Sequence, residues 1–476
     1  MSSQPRLSPG QQGLALVAER PTLPSLSLAP EWKEQQRLWG HSFHPMCSYL
    51  AMFPAALAHA FIARYSRPGD VVFDPFSGRG TTPLQACAEG RVGVGNDLNP
   101  MAHLLTAAKV DPPTRAQLAA RVNVLRVRWA TEAPRWQRLA DDALAAAGDG
   151  GFPVPAAGGR GEPAPLPTEV ALSFHRETLA QLLLVRTALR ALDTGTAAAP
   201  SDRPADTTDR FLAAAIIGIL HGRSQTYLSD IMPNSFSMAP RYVRTFVART
   251  GFRPAERDLF ACLEAKLRRL FRQPAPEGRG LALLGDARDA AARVRAGLCA
   301  RALPDRARLV VTSPPYLRVV KYGYYNWLRL WFLGVDPAAV DRELDDAHQL
   351  EAYVDFMRTV MANLREALTQ DAIVALVIGD VELDRGRPHA GGIGLAETVW
   401  ERCAAPEGYH LAGVALDDVA AHRKLTKIWG SEAGRATKLD RLLVVAPTEA
   451  GRRRAVAGAA LPVDWSWPPS ARLRLV

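Results

Sequence analysis

The apolar run Val71-Val72-Phe73 passes directly into Asp74-Pro75-Phe76-Ser77-Gly78-Arg79-Gly80-Thr81-Thr82, and a helical pattern to residue 89 and a second apolar run at 92–95 follow. A strand, a loop, a helix and a second strand in this order form the repeating unit of parallel α/β sheets. Glycines in the loop permit positive φ angles, and the helix behind it offers free N–H groups. We therefore predict that this loop binds a ligand.

The glycine loop does not match either of the common phosphate-binding motifs. It lacks the third glycine of the dinucleotide fingerprint and the Lys-Ser/Thr pair of a P-loop, which disfavours NAD and ATP. A lone Gly-x-Gly is also compatible with an ordinary tight turn.

Two further acidic residues follow predicted strands. Asp97 ends the second strand, where a carboxylate can accept both hydroxyls of a ribose, although a helix N-cap is the alternative. Asp286 follows a third apolar run, where it can accept from an adenine amine or simply form a turn.

More apolar runs, at 309–311, 372–378, 411–416 and 442–445, continue the strand pattern. We predict an α/β fold: a Rossmann-like sheet, a large and mostly helical insertion, and an antiparallel edge hairpin from the last two strands. A helix is predicted over 48–65. The predicted organisation is an N-terminal arm (1–39), a first sheet part (40–111), the insertion (112–279), a second sheet part (280–447) and a C-terminal tail (448–476).

Composition narrows the class of protein. Fifty-eight Lys and Arg against 48 Asp and Glu give a net charge of +10, which favours a polyanionic partner. The five cysteines are scattered without a CxxC pair, so neither a disulfide framework nor a zinc site is expected. No signal peptide or membrane-spanning run is evident, and we expect a soluble cytoplasmic protein.

The apolar run at 308–311 leads into Thr312-Ser313-Pro314-Pro315-Tyr316. Two consecutive prolines lack backbone N–H donors, so they end the strand and leave carbonyls as rigid acceptors. Ser313 and Tyr316 then lie at the carboxyl end of a strand, where open α/β sheets bind ligands. The pattern is suited to holding a planar amine.

Together these motifs resemble the S-adenosylmethionine-dependent DNA methyltransferases that modify exocyclic amines. The resemblance implies that the loop binds the methionine end of S-adenosylmethionine through Asp74, Pro75, Phe76, Ser77, Gly78, Gly80, Thr81 and Thr82. It assigns the ribose to Asp97 and the target amine to Ser313, Pro314, Pro315 and Tyr316. Phe53 and Pro54 resemble the segment that closes over the cofactor, and the order of the motifs resembles the α group of this family.

The resemblance also restricts the chemistry. Carbon-5 methylation of cytosine requires a cysteine nucleophile, and the chain has no Pro-Cys dipeptide of that kind. Serine at position 313 is commoner in the N4-cytosine enzymes of this family, and aspartate in the N6-adenine enzymes. The prediction is therefore N4-cytosine methylation of a flipped base that stacks on Tyr316. The alternatives are an N6-adenine enzyme, an RNA amine methyltransferase and a non-catalytic DNA-binding protein.

The predicted partner is duplex DNA. Basic candidates for DNA contact fall after the catalytic motif, in a late basic segment and in the insertion: Arg318, Lys321, Arg423, Lys424, Lys427 and Arg241. No nuclease motif is evident, so any cognate restriction endonuclease would be encoded separately. The sequence does not choose between monomer and dimer, and a DNA substrate implies association with the nucleoid.

Overall fold

The computed structural model describes residues 23–36, 39–49, 53–147, 152–159, 161–190, 206–232, 237–315, 321–344, 349–379, 394–417 and 440–466. Within these ranges a seven-stranded sheet forms the centre of the molecule. Its strands are β1 (Val71–Asp74), β2 (Val92–Asp97), β3 (Gly280–Leu284), β4 (Ala307–Thr312), β5 (Leu368–Gly379), β6 (His410–Asp417) and β7 (Asp440–Ala446).

The strand order is β3-β2-β1-β4-β5-β7-β6. β1 to β5 run parallel, whereas β7 lies antiparallel between β5 and β6. The predicted Rossmann-like sheet and its antiparallel edge hairpin are therefore confirmed. The chain moves outward from β1 to β3 and then returns to the other side of β1 with β4. This reversal opens a crevice at the carboxyl ends of β1 and β4, which is where open α/β sheets bind ligands.

Sixteen α-helices are formed by the described residues. They are α1 (Ala55–Tyr65), α2 (Thr81–Ala88), α3 (Pro100–Val110), α4 (Arg115–Ala145), α5 (Thr168–Ser173), α6 (Arg176–Ala188), α7 (Thr207–Ile217), α8 (Pro240–Thr250), α9 (Leu259–Leu270), α10 (Ala290–Cys299), α11 (Tyr322–Tyr325), α12 (Trp327–Leu333), α13 (Pro337–Glu343), α14 (Leu350–Leu364), α15 (Leu395–Val399) and α16 (Glu449–Ala459). None of these helices is both long and apolar enough to cross a bilayer.

Helices cover both faces of the sheet, as the almost wholly apolar strands require. Side chains of α1 and α16 pack on one face together with Val72, Leu309 and Val444. Side chains of α10, α14 and α15 pack on the other face together with Phe73 and Val310. The alternation of neighbouring residues between the two clusters follows from the period-2 geometry of a strand.

The helices between β2 and β3 share their core with the sheet domain. Leu84 of α2 and Met101 of α3 belong to the same apolar cluster as Trp136 of α4 and Phe211 of α7. α4 is 31 residues long and begins with a capping box in which Thr114 and Gln117 bond each other's backbone N–H groups. Because the core is continuous, this helical block is anchored directly behind the glycine loop.

The chain before β1 and after β7 also packs against the sheet. The Leu26 N–H donates to the Val414 carbonyl at 2.9 Å, so residues near 25 run along the edge strand β6. α16 lies after the last strand, and the Tyr65 hydroxyl donates to the Ala455 carbonyl at 2.9 Å. The helix predicted from residue 48 begins instead at Ala55, because Pro54 has no N–H and serves as its N-cap.

Candidate active site

The carboxyl ends of β1 and β4 are tied together by two hydroxyl groups. Thr312, the last residue of β4, donates its hydroxyl to Asp74 Oδ1 at 2.6 Å. The Thr82 hydroxyl at the start of α2 donates to the Val311 carbonyl at 2.9 Å. The glycine loop and the Ser313-Pro314-Pro315 corner are therefore held in fixed relation, although more than 200 residues of sequence separate them.

Asp74 is almost completely buried and has no cationic partner among the described residues. Burial raises its pKa to about 7, although hydrogen bonds from Thr312 and the Phe76 N–H oppose the shift. The N–H of Phe76 donates to Asp74 Oδ1 at 3.1 Å. Asp74 thus organises the turn of the glycine loop and the end of β4 through a single oxygen.

The glycine loop needs its two glycines for different reasons. Gly78 and Gly80 have φ angles of 51° and 77°, in the left-handed region. A Cβ at Gly80 would also lie only 2.9 Å from the Thr106 Cα, so α3 packs directly against the loop. No side chain caps the N-terminus of α2, which leaves its first N–H groups available to a ligand.

Asp97 lies at the end of β2, beside the loop. Its oxygens accept from the Gly78 N–H at 2.8 Å and the Asn99 N–H at 2.9 Å. Burial raises its pKa to about 6, against the lowering effect of these N–H bonds. Asn99 is the residue that caps α3, since its side chain accepts from the Met101 N–H at 3.0 Å. Each Asp97 oxygen keeps acceptor capacity for a diol.

Asp286 is bonded differently from the other two aspartates. Its oxygens accept from the Arg288 N–H at 2.8 Å and from the Arg288 guanidinium at 2.9 and 2.6 Å. Burial raises its pKa, but the bonds and charge of Arg288 with the charge of Arg293 outweigh burial and lower the pKa overall. It forms the local turn that was its alternative, and its role toward adenine stays a prediction.

Two tyrosines that the sequence analysis did not assign to the site stack over the loop. The rings of Tyr49 and Tyr322 lie 5.7 Å apart and nearly parallel. The Asn99 amide donates to the Tyr49 hydroxyl at 3.1 Å, and a Cβ at Gly78 would meet the Tyr49 ring at 3.5 Å. The only sequence signals were their positions, Tyr49 beside Phe53 and Pro54, and Tyr322 shortly after the Pro-Pro motif.

The amine corner is described as far as Pro315. Ser313 is half-buried, Pro314 is buried, and the Ser313 hydroxyl has no hydrogen-bond partner among the described residues. Phe53 and Pro54 are half-buried immediately before α1, and Phe53 packs against the core of that face. The remaining predicted residues that lie outside the described ranges are Tyr316, Arg318, Arg423, Lys424 and Lys427.

Lys321 and Arg241 are both exposed, and backbone contacts link their segments. The Ser237 N–H donates to the Tyr325 carbonyl at 3.0 Å, and Trp327 Nε1 donates to the Met238 carbonyl at 2.7 Å. α8, which carries Arg241, therefore starts beside the segment that follows the amine corner. The structure brings these two predicted DNA contacts into one neighbourhood.

Comparison with known proteins supports the assignment of the first segment. Residues 27–108 match a family model described as DNA methylase, of the N6 and N4 type. The chain is 34% identical over 70 residues to the type II methyltransferase M.MjaII of Methanocaldococcus jannaschii, which covers 15% of this chain and 13% of the relative. It is 43% identical over 49 residues to the orphan methyltransferase M.BamHII of Bacillus amyloliquefaciens, covering 10% of this chain and 18% of the relative.

The matched segments are thus less than a fifth of the length of either relative. Among solved structures, TrmN from Thermus thermophilus aligns with 85% of this chain and 52% of its own, at 11% identity and a TM-score of 0.28. The rRNA methyltransferase aviRa from Streptomyces viridochromogenes aligns with 86% of this chain and 89% of its own, at 11% identity and a TM-score of 0.27. These scores are too low to relate the folds.

The family match implies S-adenosylmethionine as the methyl donor, and the residues present fit this cofactor. The Gly78 and Gly80 backbone leaves a cradle in front of the uncapped N-terminus of α2. Asp97 offers two oxygens at the end of the adjacent strand, beside the glycine loop. Tyr49 provides an apolar wall over the loop.

Proposed function

We propose that this protein is a methyltransferase that transfers the methyl group of S-adenosylmethionine to the exocyclic N4 amine of cytosine in duplex DNA. The observation that carries the proposal is the coupling of the cofactor loop to the Ser313-Pro314-Pro315 corner through the Thr312 to Asp74 bond of 2.6 Å. This bond joins the ends of two adjacent parallel strands, which supports a methyl-donor site and an amine-binding corner side by side. The match of residues 27–108 to DNA methylases supports the choice of reaction.

The chain's own residues act on the amine. The lone pair of an exocyclic amine is conjugated with the base, so the amine is a poor nucleophile. The amine donates one hydrogen bond to the Ser313 hydroxyl oxygen and one to the Pro314 carbonyl. These two bonds favour a pyramidal nitrogen whose lone pair is directed across the crevice. S-adenosylmethionine supplies an electrophilic methyl group when it is bound. Orientation of two bound reactants supplies several kcal/mol, up to roughly 7–11 in ideal cases.

Ser313 is the basis for choosing cytosine N4. The structure supports its part in the proposal, because the residue is half-buried and its hydroxyl has no hydrogen-bond partner among the described residues. Adenine N6 is the second candidate, since the same two acceptors suit that amine. Tyr316 is proposed as the platform on which the flipped base stacks.

DNA is proposed to bind where the start of α8 lies beside the segment that follows the amine corner. We define the basic face as the exposed residues Arg241, Arg244, Arg249 and Arg253, of which Arg244 also pairs with Glu169 at 3.0 Å. Lys321 is exposed on the neighbouring segment. A positively charged cluster is suited to contact the phosphates of a DNA duplex. Arg318, Arg423, Lys424 and Lys427 remain proposed phosphate contacts, and a separate restriction endonuclease and a place on the nucleoid remain predictions.

Methyl transfer is tested by incubating the protein with methyl-labelled S-adenosylmethionine and either duplex DNA or total RNA, then identifying the labelled nucleoside by mass spectrometry. We expect label in N4-methylcytosine from DNA. Label in N6-methyladenine would leave the enzyme class intact but overturn the choice of base. Label confined to RNA would overturn the DNA substrate.

The role of the corner is tested with Ser313→Ala. We expect methyl transfer to fall at least about 100-fold, because one of two acceptors on the amine is lost. DNA affinity should change little. Ser466→Ala, at an exposed serine far along the chain, is the matched control and should keep full activity. Full activity in Ser313→Ala would contradict the mechanism.

The DNA surface is tested by measuring DNA affinity against salt concentration for Arg241→Gln and Lys321→Gln. Each lost phosphate contact should reduce the slope of log affinity against log salt by about 0.9. Arg301→Gln is the control, since Arg301 is exposed just before β4, at the amino edge of the sheet. If Arg241→Gln and Lys321→Gln both kept the wild-type slope, as Arg301→Gln should, neither residue would contact a DNA phosphate.

A further inference from the structure

A carboxylate on α13 holds the first helical turn described after the amine corner. Asp341 Oδ1 accepts from the Gly323 N–H at 2.7 Å, and its Oδ2 accepts from the Tyr324 N–H at 3.0 Å. α11 is only four residues long, and Lys321 before it provides no side-chain cap. Because a single helical turn is not stable by itself, the two bonds to Asp341 take the place of the missing cap.

α11 is also packed tightly between its neighbours. A Cβ at Gly323 would overlap the Pro337 carbonyl oxygen at the start of α13, so the two backbones are in direct contact. At the other end of α11, the Asn326 amide donates to the Tyr322 carbonyl at 2.9 Å, and Arg329 donates to the Asn326 side-chain oxygen at 2.8 Å. These contacts fix α11 between α13 and α12.

The residue that α11 places over the glycine loop is Tyr322. Its ring stacks on that of Tyr49, with 5.7 Å between the ring centroids and 27° between the planes. Burial raises the pKa of both tyrosines, and the charge of Asp97 raises both further, so the two side chains lie close to this carboxylate. The Tyr49 hydroxyl accepts from Asn99, whose own N–H donates to Asp97 at 2.9 Å. A continuous series of contacts therefore runs from Asp341 to Asp97.

α11 is also close in sequence to the amine corner. Pro315 is the last described residue of the corner, and α11 begins at Tyr322, seven positions later. A connection of this length limits how far α11 can lie from the corner. Tyr322 is therefore linked to both halves of the site, to the glycine loop through Tyr49 and to the corner through the chain.

We propose that Asp341 is a positioning residue for methyl transfer: it holds Tyr322 on Tyr49 and so fixes the glycine loop and the amine corner relative to each other. The inference rests on the proposed function, which assigns the methyl donor to the loop and the target amine to the corner. Asp341 acts through the backbone of α11, since both of its oxygens accept from N–H groups there. A misplacement of about 1 Å between two reactants can reduce the rate about 100-fold.

The experiment measures kcat for methyl transfer to duplex DNA, and S-adenosylhomocysteine affinity by calorimetry, in the wild type, Asp341→Ala, Tyr322→Leu and the double variant. In Asp341→Ala, kcat should fall about 10- to 100-fold, because the reactants are no longer aligned. S-adenosylhomocysteine affinity should stay within about 3-fold of the wild type, because Asp341 does not contact the cofactor. The calorimetric stoichiometry reports the folded fraction, so a lower kcat at unchanged stoichiometry is not caused by unfolding.

The double variant shows whether Asp341 acts through Tyr322. If it does, Asp341→Ala should reduce kcat less than about 3-fold further once Tyr322 has been replaced by Leu. Asp341→Asn keeps one acceptor oxygen and should recover part of the activity. If Asp341→Ala does not fold, the same four-way comparison is made with Asp341→Asn.

Asp336→Ala is the matched control. Asp336 also accepts from two backbone N–H groups, those of Ala338 and Ala339, but it caps α13 itself rather than α11. The variant should keep kcat within about 3-fold of the wild type, because loss of this cap lowers stability and leaves the bonds to α11 in place.

An unchanged kcat in Asp341→Ala would overturn the inference. Rate losses that multiply in the double variant would overturn it too, because Asp341 would then act independently of Tyr322. An equal loss of kcat in Asp336→Ala would assign the effect to the stability of α13 and would contradict a specific role for Asp341. If the wild type transfers no methyl group to DNA, the proposed function fails, whereas equal transfer by the wild type and Asp341→Ala rejects the positioning role alone.

Discussion

The ends of β1 and β2 differ from the end of β3 in how each treats its acidic side chain. Asp74 is buried and Asp97 is half-buried; both accept from backbone N–H groups or a hydroxyl, and both have raised pKa values. Asp286 is half-buried, is paired with Arg288, and has a lowered pKa. Position at a strand end is therefore not enough to make a carboxylate available to a ligand. Availability depends on whether a cation already occupies its oxygens.

The largest effect is expected at Asp97. Asp97→Ala removes both acceptors proposed for the ribose, and hydrogen bonds to a charged group contribute about 1.5–3 kcal/mol each. S-adenosylhomocysteine affinity should therefore fall at least about 100-fold by calorimetry. Because Asp97 also accepts from the Gly78 and Asn99 N–H groups, Asp97→Asn serves as the control that keeps one acceptor oxygen. Unchanged affinity in Asp97→Ala would remove Asp97 from the cofactor site.

The next effect concerns pH. The raised pKa of Asp74, about 7, and of Asp97, about 6, mean that the folded state holds protons that the unfolded state has released. The stability contributed by the protonated forms is complete below pH 4 and is lost as the pH rises through 6 and 7. For Asp74 alone the loss between pH 5 and pH 8 is roughly 2–3 kcal/mol.

Urea unfolding at pH 5 and pH 8 measures this loss. Asp74→Asn should be less sensitive to pH than the wild type, since an amide does not titrate and its oxygen can still accept from Thr312 and Phe76. Asp286→Asn is the control and should leave the difference between pH 5 and pH 8 as it is. If the wild type were more stable at pH 8 than at pH 5, the raised pKa values of Asp74 and Asp97 would not control the pH dependence of its stability.

How well the sequence predicts a structural feature depends on how far apart along the chain the residues that form it lie. Apolar runs identified all seven strands that the described residues form in the central sheet, because burial on both faces leaves a continuous apolar signal. The bond from Thr312 to Asp74 spans 238 positions, and no local pattern encodes it. The stacking of Tyr49 on Tyr322 also joins residues that are far apart in the sequence, so no local pattern encodes it. The pairing of Asp286 with Arg288 is only two residues apart, yet it depends on a turn geometry that the sequence does not determine.

A smaller effect is expected at Thr312. Thr312→Val removes the hydroxyl but keeps the shape, so Asp74 Oδ1 loses one of its donors inside the core. The free energy of unfolding should fall by about 1–3 kcal/mol, as measured by urea titration at pH 8, where Asp74 is ionised. Thr359→Val is the control, because that hydroxyl bonds the Asp355 carbonyl on an exposed turn of α14 and should contribute under about 0.5 kcal/mol. Equal losses of unfolding free energy in the two variants would show that the bond between β1 and β4 stabilises the protein no more than an exposed hydrogen bond does.

The smallest effect is expected at Asp286, and it tests the comparison most directly. If pairing with Arg288 makes the carboxylate a poor acceptor for a ligand, Asp286→Ala should reduce S-adenosylhomocysteine affinity less than about 3-fold, under 1 kcal/mol. The double variant Asp286→Ala with Arg288→Ala distinguishes loss of the ion pair from loss of a contact to the ligand, because it removes both charges together. A loss as large as that of Asp97→Ala would mean that the cofactor displaces Arg288, and that the end of β3 binds adenine as the sequence first indicated. A small loss would leave adenine held by other groups and confirm that the arginine occupies the carboxylate.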